Sequence, residues 1–164
     1  MYKRQPYNIY KDGLKIYTTI NSTMQQYAEE AMLKQLRTVI QPKMDAQYRS
    51  TKVLFQNTSA EEREKIVRQA MRYSDRYRAL KEEGRSEAEI DRIFRTPCPT
   101  RVFTYRGERD TILSPRDSIL HHKRIMRAGF VAIEPQTGRV KAYVGGPNFR
   151  YFKYDMAKQG KRQI

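Results

Sequence analysis

Residues 130–144 read FVAIEPQTGRVKAYV, and the prediction of the fold starts from this segment. Two runs rich in apolar residues flank the sequence PQTG at 135–138, in which proline suits an early turn position and glycine suits a left-handed one. The pattern predicts a β-hairpin. Residues 145–147, Gly-Gly-Pro, end its second strand, because neither residue type continues a strand well.

Upstream, residues 14–20 read LKIYTTI, which alternates apolar and polar side chains and predicts a strand. Asn21 is a candidate N-cap, and apolar residues at helical spacing predict a helix over 22–40. We expect the strand to join hairpin 130–144 in one antiparallel sheet, with the helix on one face. Residues 41–58 lose the periodicity and predict a linker.

The middle of the chain carries two capping boxes. Ser59 with Glu62, and Ser86 with Glu89, have the spacing at which a serine and a glutamate each satisfy a backbone N–H of the first helical turn. The first box predicts a helix that runs until Gly84. The second predicts a shorter helix that ends at the prolines of residues 97–99.

Two short strands and a helix follow. Residues 101–105 and 109–113 predict strands around Gly107. Residues 114–115, Ser-Pro, open a helix to about Met126, because proline is favoured at the first helical position.

These elements indicate an α+β fold. We expect an antiparallel sheet, formed by strand 14–20 with hairpin 130–144, packed with helices and carrying a mostly helical insertion. Residues 1–40 hold the N-terminal strand and helix. Residues 41–113 form the inserted subdomain with a short strand pair, and residues 114–164 form a helix, the hairpin and a basic tail.

Charge is the most unusual property of the composition. The 164 residues include 33 Lys and Arg against 18 Asp and Glu, a net charge of +15, whereas residues 59–94 are balanced. The run FRYFKY at 149–154 alternates cations with aromatic rings. Such a run could stack bases and bind phosphates, or its rings could be buried against the rest of a larger protein. Both interpretations stay open, and a basic chain also fits an anionic surface.

Motifs of site chemistry are absent from the sequence: it has no phosphate-binding glycine loop, no H-E-x-x-H and no G-x-S-x-G. Neighbouring His121 and His122 are expected on a helix surface and not in a two-histidine metal site. Cys98, between two prolines, is expected to be inert. Two acidic clusters at helix starts are expected to favour the helix dipole and not to act as acid–base pairs. They are Glu61, Glu62 and Glu64, and Glu87, Glu89 and Asp91. We therefore predict no catalytic, cofactor-binding or metal-ligating residues.

Four stretches carry a resemblance to a known family. Residues 12–28 resemble the opening strand and first helix of the transpeptidase domain of penicillin-binding proteins. Residues 129–146 resemble that family's hairpin, V-A-I-D-P-x-T-G-x-I-x-A-M-V-G-G. Residues 154–163, YDMAKQGKRQ, are similar to the segment before the catalytic serine, F-N-R-A-x-Q-x-x-R-Q-P-G-S-x-F-K, with Asp155-Met156 in place of Asn-Arg. Residues 99–117 resemble the strand pair that returns from the inserted domain of class A, penicillin-binding protein 1A-type enzymes.

The resemblance implies a fragment that covers the start of the transpeptidase domain and its inserted domain, and that ends just before the catalytic serine. The parent would be an enzyme, a peptidoglycan glycosyltransferase and serine-type DD-transpeptidase. Its transpeptidase motifs are Ser-x-x-Lys, Ser-x-Asn and Lys-Thr-Gly. No serine here has Lys three residues on or Asn two residues on, and Gln136-Thr137-Gly138 lies in the predicted turn. The fragment alone is therefore predicted to be non-catalytic.

The same resemblance implies partners and a location. They are the remainder of the parent transpeptidase domain, peptidoglycan or lipid II through the parent, and cell-wall synthesis regulators at the insertion, with no specific nucleic acid and no cofactor. The parent would lie on the periplasmic face of the cytoplasmic membrane, anchored by an N-terminal transmembrane helix outside this chain. The alternative from the residues themselves is a free-standing basic module that binds nucleic acid or an anionic surface.

Overall fold

The computed structural model describes residue 8, residues 11–55 and residues 57–160. Helices alternate with two β-hairpins in an α+β fold, as predicted. In chain order the elements are α1 (Ser22–Gln35), a π-helical segment (Leu36–Ile40), α2 (Gln41–Thr51), α3 (Ala60–Arg72), α4 (Asp75–Glu82), α5 (Glu87–Arg95), β1 (Cys98–Thr104), β2 (Gly107–Leu113), α6 (Pro115–Arg124), β3 (Phe130–Ile133) and β4 (Val140–Val144).

The first helix is longer than the sequence pattern indicates. Asn21 caps it as predicted, since its Oδ1 accepts a hydrogen bond from the Met24 N–H at 3.0 Å. The linker predicted at 41–58 is wrong over residues 41–51, which are helical. Pro42 lacks an N–H, but it is the second residue after the π-helical segment, whose wider turn accommodates such an interruption. The helix ends at Lys52, which adopts a left-handed conformation with φ 55°.

The helix predicted from Ser59 to Gly84 is interrupted, so a single helix is wrong here. Helix α3 ends at Arg72, and α4 begins after Ser74. The Ser74 hydroxyl donates to the Met71 carbonyl at 2.6 Å and accepts from the Tyr77 N–H at 3.2 Å, which starts a new helix. Gly84 follows α4 with φ +77°, as the stop signal predicted.

Both predicted capping boxes are confirmed. The Ser59 N–H donates to the Glu62 carboxylate at 2.8 Å, and the Ser59 hydroxyl accepts from the Glu62 N–H at 3.1 Å. Ser86 and Glu89 form the same reciprocal pair at the start of α5.

The strands form two separate antiparallel hairpins, β1–β2 and β3–β4. The hairpin at 130–144 is confirmed, with Phe130 opposite Val144 and an irregularity between Ala132 and Ile133. The predicted strand pair around Gly107 is also confirmed, and each strand is longer than the sequence indicates.

Residues 14–20 do not form a strand, and the predicted shared sheet is therefore also wrong. The segment reaches β4 through two hydrogen bonds: the Thr19 hydroxyl donates to the Val140 carbonyl at 2.7 Å, and the Asn21 N–H donates to the Lys141 carbonyl at 2.9 Å. Both acceptors lie at the very beginning of β4. Because the segment belongs to neither sheet, its apolar side chains have no sheet face to pack against, and Tyr17 is 90% exposed.

The apolar core is divided into three clusters. The largest joins α3 and α5 through Val67, Met71, Ile90 and Phe94. Side chains of α4 and α6 cover it. The partly buried residues packed against it are Tyr77, Leu80, Ile119 and Leu120. The expected segment boundaries after residues 40 and 113 stay a prediction.

The other two clusters place the hairpins. In one, Ala28 of α1 packs on Ala142 and Val144 of β4, and these small side chains let the helix lie close to the strand. In the other, the rings of Phe103 and Phe152 meet edge to face with centroids 5.4 Å apart, beside Ile125.

Candidate functional site

Five of the six carboxylates in the two acidic clusters, all except Glu61, form ion pairs or cap helices. Glu64 accepts two hydrogen bonds from the Arg116 guanidinium at 3.0 and 2.8 Å. Glu87 accepts from the Tyr77 hydroxyl at 2.7 Å and lies 2.7 Å from the Lys81 Nζ. These cationic and hydroxyl partners hold the pKa of both carboxyls below the ordinary value. A carboxyl with a lowered pKa is a poor general acid at neutral pH.

His121 and His122 correct the expectation of a surface role, because both are half-buried and contact strand β1. The His121 Nε2 lies 2.8 Å from the Phe103 carbonyl oxygen, and the His122 Nε2 accepts from the Phe103 N–H at 3.3 Å. The His122 Nδ1 donates to the Ser118 carbonyl at 2.9 Å. Together the two rings give hydrogen-bond partners to the Phe103 N–H and carbonyl oxygen, and they protect the edge of β1 that does not pair with β2 at this residue. Burial lowers the pKa of His122, which keeps the ring neutral and able to accept.

Cys98 and the QTG sequence lie in structural positions. Cys98 starts β1 half-buried, with its sulfur 3.7 Å from the Leu113 carbonyl oxygen. In the hairpin turn, the Thr137 hydroxyl donates to the Glu134 carboxylate, and Gly138 takes φ +68°. Among the residues that the structure describes, no three His, Cys, Asp or Glu side chains cluster as metal ligands would.

The basic aromatic run at 149–154 is partly built into the protein. Phe149 is 78% exposed, whereas Phe152 is only 6% exposed and belongs to the core. The Tyr151 ring stacks on His122 with centroids 5.5 Å apart, and Arg150 pairs with Glu108 at 3.1 Å. The sequence left open whether these rings stack bases or are buried. The Phe152 ring is buried, and it packs against residues of this same chain.

A group of hydrogen bonds holds residues 154–160 where they pass the end of β4. The Tyr143 hydroxyl donates to the Asp155 carboxylate at 2.6 Å. The other carboxylate oxygen accepts from the N–H groups of Ala157 at 2.9 Å and Lys158 at 3.0 Å. The Met156 N–H donates to the Gly145 carbonyl at 2.8 Å. The Tyr143 hydroxyl and the N–H groups of Lys158 and Ala157 hold the pKa of Asp155 below its ordinary value. We call this arrangement, residues 143–145 with residues 155–158, the junction.

Two glycines make room for the junction. A Cβ at Gly129 would lie 2.6 Å from the Ala157 nitrogen, and one at Gly145 would lie 3.1 Å from the Asp155 carboxylate. The sequence pattern marked Gly145 only as the end of a strand. Asp155 differed from the family motif, which has Asn at this position, and the sequence indicated no other role for it. An Asp that accepts from N–H groups two and three residues ahead is a recognised turn signal, which could have pointed to this role.

The comparisons with known proteins can now be set beside this geometry. Residues 50–126 match the family model described as the penicillin-binding protein middle domain. The match supports a penicillin-binding protein fragment. No curated protein and no solved structure matches the chain.

The middle-domain match covers the helical core and the first hairpin. It begins inside α2 and ends just after α6, so all four buried residues of the largest cluster lie within it. The junction lies outside the matched range. None of the helices in the described ranges combines the length and the apolar character that a membrane crossing requires.

Proposed function

We propose that this chain is a non-catalytic part of a class A penicillin-binding protein, a peptidoglycan glycosyltransferase and serine-type DD-transpeptidase. Two observations support the proposal. The model of the penicillin-binding protein middle domain matches residues 50–126, in the centre of the chain. The segments that resemble the transpeptidase domain lie on both sides of that match, in the family's order.

The observation that carries the proposal is the junction. In the transpeptidase domain that the resemblance implies, the nucleophilic serine follows a segment similar to residues 154–163. Here residues 155–158 are held against β4 by the Asp155 carboxylate and by close approach at Gly129 and Gly145. A nucleophile must be held in a near-attack geometry, and small displacements cost much of the rate. The role that we propose for this chain is to hold the backbone that leads to the nucleophile.

The partners and the location follow from the same proposal. The chain would pack against the remainder of the transpeptidase domain and would meet peptidoglycan or lipid II only through the parent. It would lie on the periplasmic face of the cytoplasmic membrane. The open edge of β3, where Phe130 and Ile133 are exposed, offers a surface on which the remainder of the sheet could pair.

The experiment has a genetic part and a kinetic part. The reading frame that encodes this chain is expected to continue into a Ser-x-x-Lys motif. In the full gene product, Gly129→Ala should slow acylation by a fluorescent penicillin by at least about tenfold, because it displaces Ala157. Gly146→Ala is the matched control, since its Cβ would meet nothing closer than the Tyr154 oxygen at 3.9 Å. Equal acylation rates in the two variants would contradict the positioning role.

A further inference from the structure

A cleft of about 650 Å³ lies between the end of α2, the start of α3, the β1–β2 hairpin and α6. Its volume falls within the range of ligand-binding pockets. Seven apolar side chains contribute to its lining: Leu54, Phe55, Ala60, Val67, Val102, Leu113 and Leu120. Val67 and Val102 are buried in the protein, whereas Leu54, Phe55, Leu113 and Leu120 are half-buried and leave apolar surface at the cleft.

The polar part of the lining is strongly cationic. It contains five cations and two carboxylates: Lys52, Arg63, Arg109, Arg116 and Arg124, with Glu64 and Asp117. Glu64 is occupied by the paired hydrogen bonds from Arg116. Asp117 accepts from the Ser114 hydroxyl at 2.6 Å in the cap of α6. Most of the cationic charge is therefore not balanced within the cleft.

Three of the cations have no carboxylate partner among the described residues. Arg63 donates only to backbone oxygens, those of Ser59 at 3.3 Å and Thr58 at 3.2 Å, which leaves its charge uncompensated. Lys52 and Arg109 are exposed, and their side chains form no ion pair or hydrogen bond within the described ranges. The three residues come from three different elements around the apolar lining.

Arg124 adds a further cation to the wall. Its guanidinium lies over the Tyr48 ring, 4.6 Å from the centroid, and its side chain is 31% exposed. The Asp45 carboxylate is 3.6 Å from its Nε, too far for a hydrogen bond, and this buried nitrogen has no acceptor among the described groups. Arg124 therefore adds a positive charge to this wall that no hydrogen-bonded carboxylate among the described residues compensates.

We propose that the cleft binds an acidic segment of a partner protein, in which at least two carboxylates flank an aliphatic or aromatic side chain. Uncompensated cations on three separate elements match several carboxylates spaced along a peptide better than one compact anion. The apolar lining matches the side chain between those carboxylates, and complementary charge would determine which partner binds.

The test uses this 164-residue chain and a fluorescein-labelled hexapeptide of sequence Glu-Leu-Asp-Phe-Glu-Leu, followed by fluorescence anisotropy. We expect saturable binding that weakens as salt rises. The double variant Lys52→Gln with Arg109→Gln should weaken binding by about tenfold, since each exposed ion pair contributes up to about fivefold. Both side chains are exposed and form no hydrogen bond or ion pair within the described ranges, so the double variant is expected to fold, and unfolding curves will verify this.

Two controls make the result decisive. Lys65→Gln removes one exposed cation of α3 outside the cleft, and it should change the affinity less than twofold. A peptide with Gln and Asn in place of its acidic residues should not bind. The proposal is overturned if the amide peptide binds equally well, if Lys65→Gln weakens binding as much as the double variant, or if pyrophosphate alone binds as tightly as the acidic peptide.

Discussion

The side-chain amide of Gln25 in α1 pairs with the backbone of Tyr143 in β4 as a neighbouring strand would. Its Nε2 donates to the Tyr143 carbonyl at 2.9 Å, and its Oε1 accepts from the Tyr143 N–H at 2.8 Å. The outer edge of β4 is thereby satisfied at Tyr143 by a side chain of a helix. Exposed strand edges invite pairing with other chains, so this contact both attaches α1 and protects the hairpin.

Replacing Gln25 tests that contact. Gln25→Ala should lower the free energy of unfolding by about 1–3 kcal/mol, because it leaves two half-buried backbone groups without their partner. Chemical denaturation measures the loss. Gln26→Ala is the matched control and should change the free energy of unfolding by less than about 0.5 kcal/mol. The Gln26 side chain donates only to Glu30, at 2.8 Å, and both of these residues are exposed. Equal losses in the two variants would show that the Tyr143 contact contributes nothing specific.

The close approach at Gly129 has a structural consequence in the isolated chain. Gly129→Ala should destabilise the fold by about 1–3 kcal/mol, because the new Cβ would lie 2.6 Å from the Ala157 nitrogen and the backbone must move. Amide hydrogen exchange should show faster exchange at Met156, Ala157 and Lys158, whereas Gly146→Ala should leave these amides protected. Unchanged exchange in Gly129→Ala would mean that the junction tolerates the added methyl group.

Acid should weaken the fold through His122. Burial lowers its pKa below 6.5 in the folded state, whereas the unfolded residue binds a proton near pH 6.5. The unfolded state therefore takes up more protons, and stability falls as the pH drops below about 6.5. Urea denaturation at about pH 7.5 and 5.5 should show a smaller decrease for His122→Gln than for the wild type. The same decrease in both proteins would rule out His122 as the source.

The Arg116–Glu64 pair joins α6 to α3 across the helical core. Glu64→Gln should cost about 1–3 kcal/mol at neutral pH, since it leaves the half-buried guanidinium without its charged partner. Arg116 lowers the pKa of Glu64, so the difference from wild type should persist above pH 4.5 and shrink as acid protonates the wild-type carboxyl. Glu61→Gln, an exposed change on the same helix, serves as the control in these denaturation curves. A pH-independent difference would argue against an ionic origin.

Local signals in the sequence predicted the elements whose chemistry is local. The capping boxes at Ser59 and Ser86 and the hairpin turn at 135–138 determine their structures through neighbouring residues, and all three are confirmed. Residues 14–20 show the opposite case. Their alternation fits a strand, but a strand also needs a partner along its length, and the segment meets only the beginning of β4.

The junction and the edge closures could not be predicted from local pattern. The contacts of Gln25 with Tyr143, and of the two histidines with Phe103, join residues far apart in the chain. Nothing in the spacing of a polar side chain on a helix indicates which strand edge it will meet. Gly129 likewise shows no requirement for glycine until Ala157 is placed beside it.

The most direct test of the proposed function is acylation by a fluorescent penicillin, measured on the full product of the encoding gene and on this 164-residue chain. Acylation requires an activated serine, and no serine here has a lysine three residues on. We predict that the full product is labelled at a Ser-x-x-Lys serine beyond residue 164 and that the chain alone is not. A full product that takes no label, or a stable acyl adduct on this chain by intact mass, would contradict the account.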